Sequence, residues 1–151
     1  MSNYNAYRYK PLCAKDEIRL LALGPAGDMD TPLCCSIVHY RRSTGSIDYS
    51  AVSYAWGDQE LTETLKVVEG HLASGEQTYC CPSHMSPNLN DSFYLNITPT
   101  VDTLLRHFRA PTHVLYLWID AVCLNQYDTS EKAHQIPQMG QIYREATDVK
   151  I

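Results

Sequence analysis

From residue 114 to residue 124 the chain reads Val114-Leu115-Tyr116-Leu117-Trp118-Ile119-Asp120-Ala121-Val122-Cys123-Leu124, with Asp120 as its only charged side chain. An apolar run of this kind, with Pro111 before it and Asn125-Gln126-Tyr127-Asp128 after it, predicts a central strand buried on both faces. Such a strand is the habit of parallel sheets, because it needs layers on either side to cover it. The run falls short of the roughly 18 apolar residues that a membrane span requires. The chain is 44% hydrophobic over 151 residues, enough for one domain with a real core. Twelve Lys and Arg against seventeen Asp and Glu give a formal net charge of −5, which argues against a nucleic-acid binder. The start, Met1-Ser2-Asn3-Tyr4-Asn5, lacks the basic-then-apolar pattern of a secretory signal, so a cytoplasmic location is expected, with no membrane partner.

The rest of the pattern fits an α/β layer. Residues 17–23 read as a first strand and 33–40 as a second, joined through Gly24-Pro25-Ala26-Gly27-Asp28 into a hairpin-like lead-in. Residues 49–55 alternate apolar and small polar side chains, and Trp56-Gly57-Asp58 closes that strand with a turn. Short strands are expected at 64–68 and 93–97, and between them residues 69–92, rich in Gly, Ser, Pro and Asn, form a surface insertion. Thr98-Pro99 is an N-cap followed by proline at the first helical position. Val101, Leu104, Leu105 and Phe108 then give one apolar stripe. Asp128 and Glu131 have the spacing of a capping box, and Pro137 divides a turn at 129–136 from a helix carrying Met139, Ile142, Tyr143 and Ala146. Residues 147–151 begin another strand, so the C-terminus is expected to be truncated within the domain. The division that follows is a lead-in at 1–45 and a main domain at 46–151, with the insertion at 69–92.

Six cysteines stand at 13, 34, 35, 80, 81 and 123. Without a secreted context they read as reduced thiols. A zinc site assembled from Cys34, Cys35 and His39 with Cys80, Cys81 and His84 lacks any Cys-x-x-Cys knuckle, and no metal is expected. Cys123 as a nucleophile would require a base such as His134, whereas a small buried cysteine in an apolar strand needs none.

Two segments carry a resemblance. Tyr49-Ser50-Ala51-Val52-Ser53-Tyr54-Ala55-Trp56-Gly57 resembles the opening motif of the fungal heterokaryon-incompatibility (HET) domain. Leu117-Trp118-Ile119-Asp120-Ala121-Val122-Cys123-Leu124-Asn125-Gln126 resembles its central motif. Glu131, Gln135-Ile136, Met139, Ile142-Tyr143 and Ala146 are similar to its trailing helix, and Glu17-Ile18-Arg19-Leu20-Leu21 to its usual lead-in. The resemblance implies a domain that triggers regulated cell death on non-self recognition, acting with other death-signalling or incompatibility proteins or as a homo-oligomer. It implies a TIR-like, flavodoxin-like fold, a largely parallel sheet flanked by helices. Some TIR-like domains cleave NAD with a glutamate on a later helix, and no glutamate here matches that role.

The ligand-facing candidates are Ser53, Tyr54, Trp56, Gly57 and Asp58 from the first motif and Asp120, Cys123, Asn125 and Gln126 from the second. Both groups lie at strand exits, where open α/β sheets place their sites. Trp56 has a ring suited to stacking on a nucleobase or nicotinamide, or to filling the core. Trp118 reads as core. Asp120 is the candidate catalytic group, as a ligand-orienting carboxylate or general base. The plain structural reading has it accept backbone N–H bonds from residues 124–126. Glu131 reads as a capping acid and Arg41-Arg42 as a solvated pair. Three functions stay open: a death-signalling module working by association, an NAD glycohydrolase with NAD as substrate rather than cofactor, and an inactive truncated product.

Overall fold

The computed structural model describes residues 6–68 and 92–151. The expected insertion at 69–92 lies outside the described residues, except Ser92, which opens a strand. Seven strands form one sheet: β1 (Glu17–Leu23), β2 (Cys34–Arg41), β3 (Ser50–Val52), β4 (Glu63–Val68), β5 (Ser92–Ile97), β6 (Leu115–Trp118) and β7 (Asp148–Lys150). Their order is β5-β4-β2-β1-β6-β3-β7. Four helices accompany them: α1 (Pro99–Phe108), α2 (Asp120–Cys123), α3 (Thr129–Gln135) and α4 (Met139–Glu145).

The sheet is mixed rather than largely parallel. β1 runs antiparallel to both its neighbours, β2 and β6, and β4 runs antiparallel to β5. The parallel pairings are β2 with β4, β3 with β6 and β3 with β7. The short link between β1 and β2 allows only a hairpin, which forces the antiparallel join at the centre of the sheet. Thr98 does cap α1, its side chain accepting from the Val101 N–H, with Pro99 in the first turn.

β1, not β6, is the long strand buried on both faces: all seven of its residues are buried, as are the three of β3. The apolar run at 114–124 divides instead into β6, a four-residue strand, and α2, one helical turn. The Val122 and Cys123 N–H groups both turn back to the Ile119 carbonyl. Apolar composition alone cannot separate a buried strand from a buried helical turn, so the run was legible as core but not as one element. Asp120 therefore opens a helical turn rather than ending a strand. Residues 129–135 form a helix where a turn was expected, because Asp128 Oδ1 accepts from the Glu131 N–H at 3.0 Å. Pro137 falls in a 3-10 turn between α3 and α4.

A flat sheet would set β5 about 14 Å from β1. Yet α2 packs against β1 and also reaches β5, so the β4–β5 ribbon curls towards α2. The segment before β1 closes the gap. Ala6 bridges to Tyr94 and the Tyr7 N–H donates to the Tyr94 carbonyl. The Tyr9 hydroxyl donates to the Val122 carbonyl at 2.7 Å.

One ion pair locks α2 and α3 to the central strand. Arg19 on β1 is 1% exposed and forks onto Glu131 of α3, at 2.9 Å through Nη1 and 2.6 Å through Nη2. The same guanidinium donates to the Cys123 and Lys10 carbonyls and lies over the Tyr9 ring. Removing one member of such a buried pair strands the other charge, at a cost of about 3–5 kcal/mol. Glu131→Ala is accordingly expected to lose about that much in urea unfolding. The paired apolar replacement of Arg19 by Met and Glu131 by Leu should lose less than Glu131→Ala alone. A Glu131→Ala chain as stable as the parent would refute the role assigned to the pair.

Candidate functional site

The site is built where the two motif exits meet. β3 and β6 are parallel neighbours in register, Ser50 opposite Leu117 and Ala51 opposite Trp118, so the chain leaves both strands at the same end of the sheet. Trp56 closes the gap between them, its Nε1–H donating to Asp120 Oδ2 at 3.0 Å. Its ring lies nearly parallel to that of Tyr54, with an interplanar angle of 13° and centroids 6.4 Å apart. Gly57 sits at φ +63°, a conformation that any side chain would strain, and this lets the chain double back beside Trp56.

Behind Trp56, Asp120 is partly buried. Burial pushes its carboxyl above the usual aspartate range, and the hydrogen bond from Trp56 offsets only part of that. The Gln126 amide donates to the Asp120 carbonyl at 2.9 Å. The Leu124 N–H returns to the Asp120 backbone carbonyl, not to its carboxylate. The plain structural reading of Asp120 is corrected in its partners: its carboxylate accepts from the Trp56 indole and from the backbone N–H groups of its own turn, Asp120 and Ala121, not from residues 124–126. Burial also drives the Tyr54 phenol upwards, with the negative charge of Asp120 adding to it, so that hydroxyl stays protonated.

Beside this junction opens a cleft of about 500 Å³, the size range of small-molecule sites. Of the residues anticipated from sequence, Tyr54, Trp56, Gly57 and Gln126 line it. The others do not. Ser53 lies at the β3–β7 edge, its N–H donating to the Lys150 carbonyl and its side chain meeting the Tyr143 hydroxyl. Asp58 is exposed in the turn beyond Gly57. Asn125 is held by its N–H on Glu131 Oε2 at 2.6 Å. Glu131 is therefore no reciprocal capping acid: its carboxylate goes to Arg19 and Asn125 instead.

Cys123 is 1% exposed, and burial pushes its thiol up to about 12, the opposite of what a nucleophile needs. His134, the base considered for it, faces Gln138. Among the described residues no group of three or more His, Cys, Asp and Glu side chains is placed to hold a metal ion. His39 pairs with Glu17, and Cys80, Cys81 and His84 lie outside the described residues.

Sequence reading missed the far wall of the cleft. Tyr7 and Tyr9 come from the segment before β1, Tyr94 from β5, Leu61 from the approach to β4, and Tyr127 from the turn after the central motif. The signal available was the alternation of Tyr7 and Tyr9, which in an extended segment sets both rings on one side, and the two rings do meet edge to face.

A curled mixed sheet with an aromatic cleft at the junction of two strand exits defines a small α/β domain. The sequence matches the family described as heterokaryon incompatibility protein (HET) over residues 49–151, and the chain belongs to that family. Heterokaryon incompatibility protein 6, OR allele, of Neurospora crassa is 32% identical over 158 aligned residues, covering 97% of this chain. The chain spans about a fifth of the length of that relative, 20%. No solved structure matches. Among the described residues no helix is long and apolar enough to cross a membrane.

Two outcomes are expected. Because folding raises the Asp120 pKa, wild-type stability relative to Asp120→Asn is greatest at low pH, where both side chains are neutral. It falls as pH rises through the folded-state value, so the Asn chain should gain on the parent in urea midpoints between acid and neutral pH. A pH-independent difference would contradict the assigned burial. In native labelling with iodoacetamide, exposed Cys13 should react while Cys34, Cys35 and Cys123 react only on unfolding, as peptide mapping would read. Rapid native alkylation of Cys123 would overturn its placement in the core.

Proposed function

We propose that the chain is a fungal incompatibility module that triggers regulated cell death in the cytoplasm by association. Its partners are a second copy or other death-signalling and incompatibility proteins. The observation that carries this reading is the family match running through both motifs, together with a relative whose name is an incompatibility protein. The geometry supports association because the polar side chains of the motifs are engaged with one another. The Trp56 Nε1–H is held by the Asp120 carboxylate, the Gln126 amide by the Asp120 backbone carbonyl, and Asn125 Oδ1 by the Tyr127 N–H. The domain is assigned to 46–151 with a lead-in at 1–45, and the place of β1 and β2 between β4 and β6 supports a close association of the two. The parallel trio β6-β3-β7 supports a TIR-like origin for this half of the sheet.

A second reading is favoured by one feature. A cleft with Tyr54 and Trp56 in its wall lies against a half-buried carboxylate of raised pKa, which suits an NAD-cleaving site with Asp120 as its catalytic group. NAD would then be substrate, with no resident cofactor.

The two readings part in yeast expressing the chain fused to a chemically induced dimeriser. Growth arrest on dimerisation with steady cellular NAD is the expected result. A fall in NAD before arrest, abolished by Asp120→Ala in a chain that still folds, would replace association with catalysis. Normal growth with steady NAD would refute both.

A further inference from the structure

The cleft has a chemical character that the association reading does not use and that weighs against a charged dinucleotide such as NAD. None of the described residues lining it carries a charged side chain. Its lining is rich in aromatic rings, Tyr54 and Trp56 lying nearly parallel and Tyr7, Tyr9, Tyr94 and Tyr127 joining them, with aliphatic side chains between. The carboxamides lining it are those of Gln59, Asn96 and Gln126; Gln59 Oε1 already accepts from the Thr100 N–H, and Gln126 Nε2 already donates one N–H to the Asp120 carbonyl, so Gln126 offers a ligand its Oε1 and its second N–H.

We propose that this cleft is a binding site for an uncharged, purine-sized heteroaromatic ring, stacked on Trp56 and read at its edge by the Asn96 and Gln126 amides. The size fits, since about 500 Å³ holds a nucleoside with room for water. Stacking on Trp and Tyr faces tolerates any flat ring, whereas carboxamides offer a donor and an acceptor together, which suits a base edge. Charge decides against the alternatives. A phosphate or a fixed cation taken into the cleft meets no counter-charge among the described lining residues to offset its lost hydration. The Arg19 guanidinium, which lies over Tyr9, is committed to Glu131. The Asp120 carboxylate is covered by the Trp56 indole that it accepts from. A neutral ring meets no such penalty. The inference goes beyond the incompatibility reading, because binding by the purified chain needs neither partner nor cell death.

Trp56 is 41% exposed and Trp118 fully buried, so a change in tryptophan fluorescence on titration reports the cleft. Adenosine, AMP and 1-methylnicotinamide, titrated into the full chain, test the three charge states on flat rings. Adenosine should bind saturably, and the other two at least about tenfold more weakly. By calorimetry Trp56→Ala should lose about tenfold or more in adenosine affinity, while Trp56→Phe, which keeps a stacking face, retains most of it. Tyr127, 87% exposed at the rim, gives a variant that cannot disturb the core, and Tyr127→Ala should weaken adenosine by a smaller factor. The proposal is overturned if adenosine shows no saturable binding up to its solubility limit. It is overturned equally if AMP or 1-methylnicotinamide binds as tightly, or if a folded Trp56→Ala chain binds as the parent does.

Discussion

The architecture hangs on a guanidinium in the middle of a sheet. Arg19 sits on the central strand of the sheet, buried along its whole length, a position where an unpaired charge could not be tolerated. Its forked bond to Glu131 fixes α3, its bond to the Cys123 carbonyl fixes the end of α2, and its bond to the Lys10 carbonyl fixes the segment that supplies Tyr7 and Tyr9. Three pieces of chain far apart in sequence are thus referred to one side chain. The cleft lies among those pieces, so its shape depends on a charge that never touches it.

That dependence gives the region before residue 49 a larger part than a lead-in. The family match begins at Tyr49, yet β1 and β2 lie between β4 and β6 in the sheet. Without them the parallel trio β6-β3-β7 and the ribbon β4-β5 would have no common neighbour. Leu20, Leu21 and Leu23 are each fully buried in the same core as Trp118 and Ile142, so the two halves of the sequence share one interior.

What could be read in the chain followed from signals that are local. The Thr98-Pro99 cap and the stripe through Val101 and Leu105 specify α1 within a few residues, and the structure has it there. The β1–β2 hairpin was legible for the same reason. Direction within the sheet was not, because strand pairing across long separations leaves no local trace. The run at 114–124 shows the limit from the other side: burial was plain, but hydrophobicity carries no period when every side chain is covered. The junction of Trp56 with Asp120 joins residues 64 apart in sequence, and only the parallel register of β3 with β6 brings them together. The far wall was hidden because its tyrosines belong to three separate segments, none of them remarkable alone.

The division of labour between motif and cleft has a physical consequence. Several hydrogen-bonding groups of the motifs are engaged within the fold, the Trp56 N–H with Asp120, the Gln126 amide with the Asp120 carbonyl and the Cys123 carbonyl with Arg19. What these residues leave facing outward is chiefly ring surface: Tyr54, Trp56 and Tyr127. A surface of that kind discriminates by shape and flatness more than by charge, and it does so without spending the bonds that hold it together. Recognition and scaffolding therefore use different atoms of the same side chains. Trp56 states this most plainly, with its N–H given to Asp120 and one face stacked on Tyr54, while two-fifths of it, 41%, remains open to whatever enters the cleft.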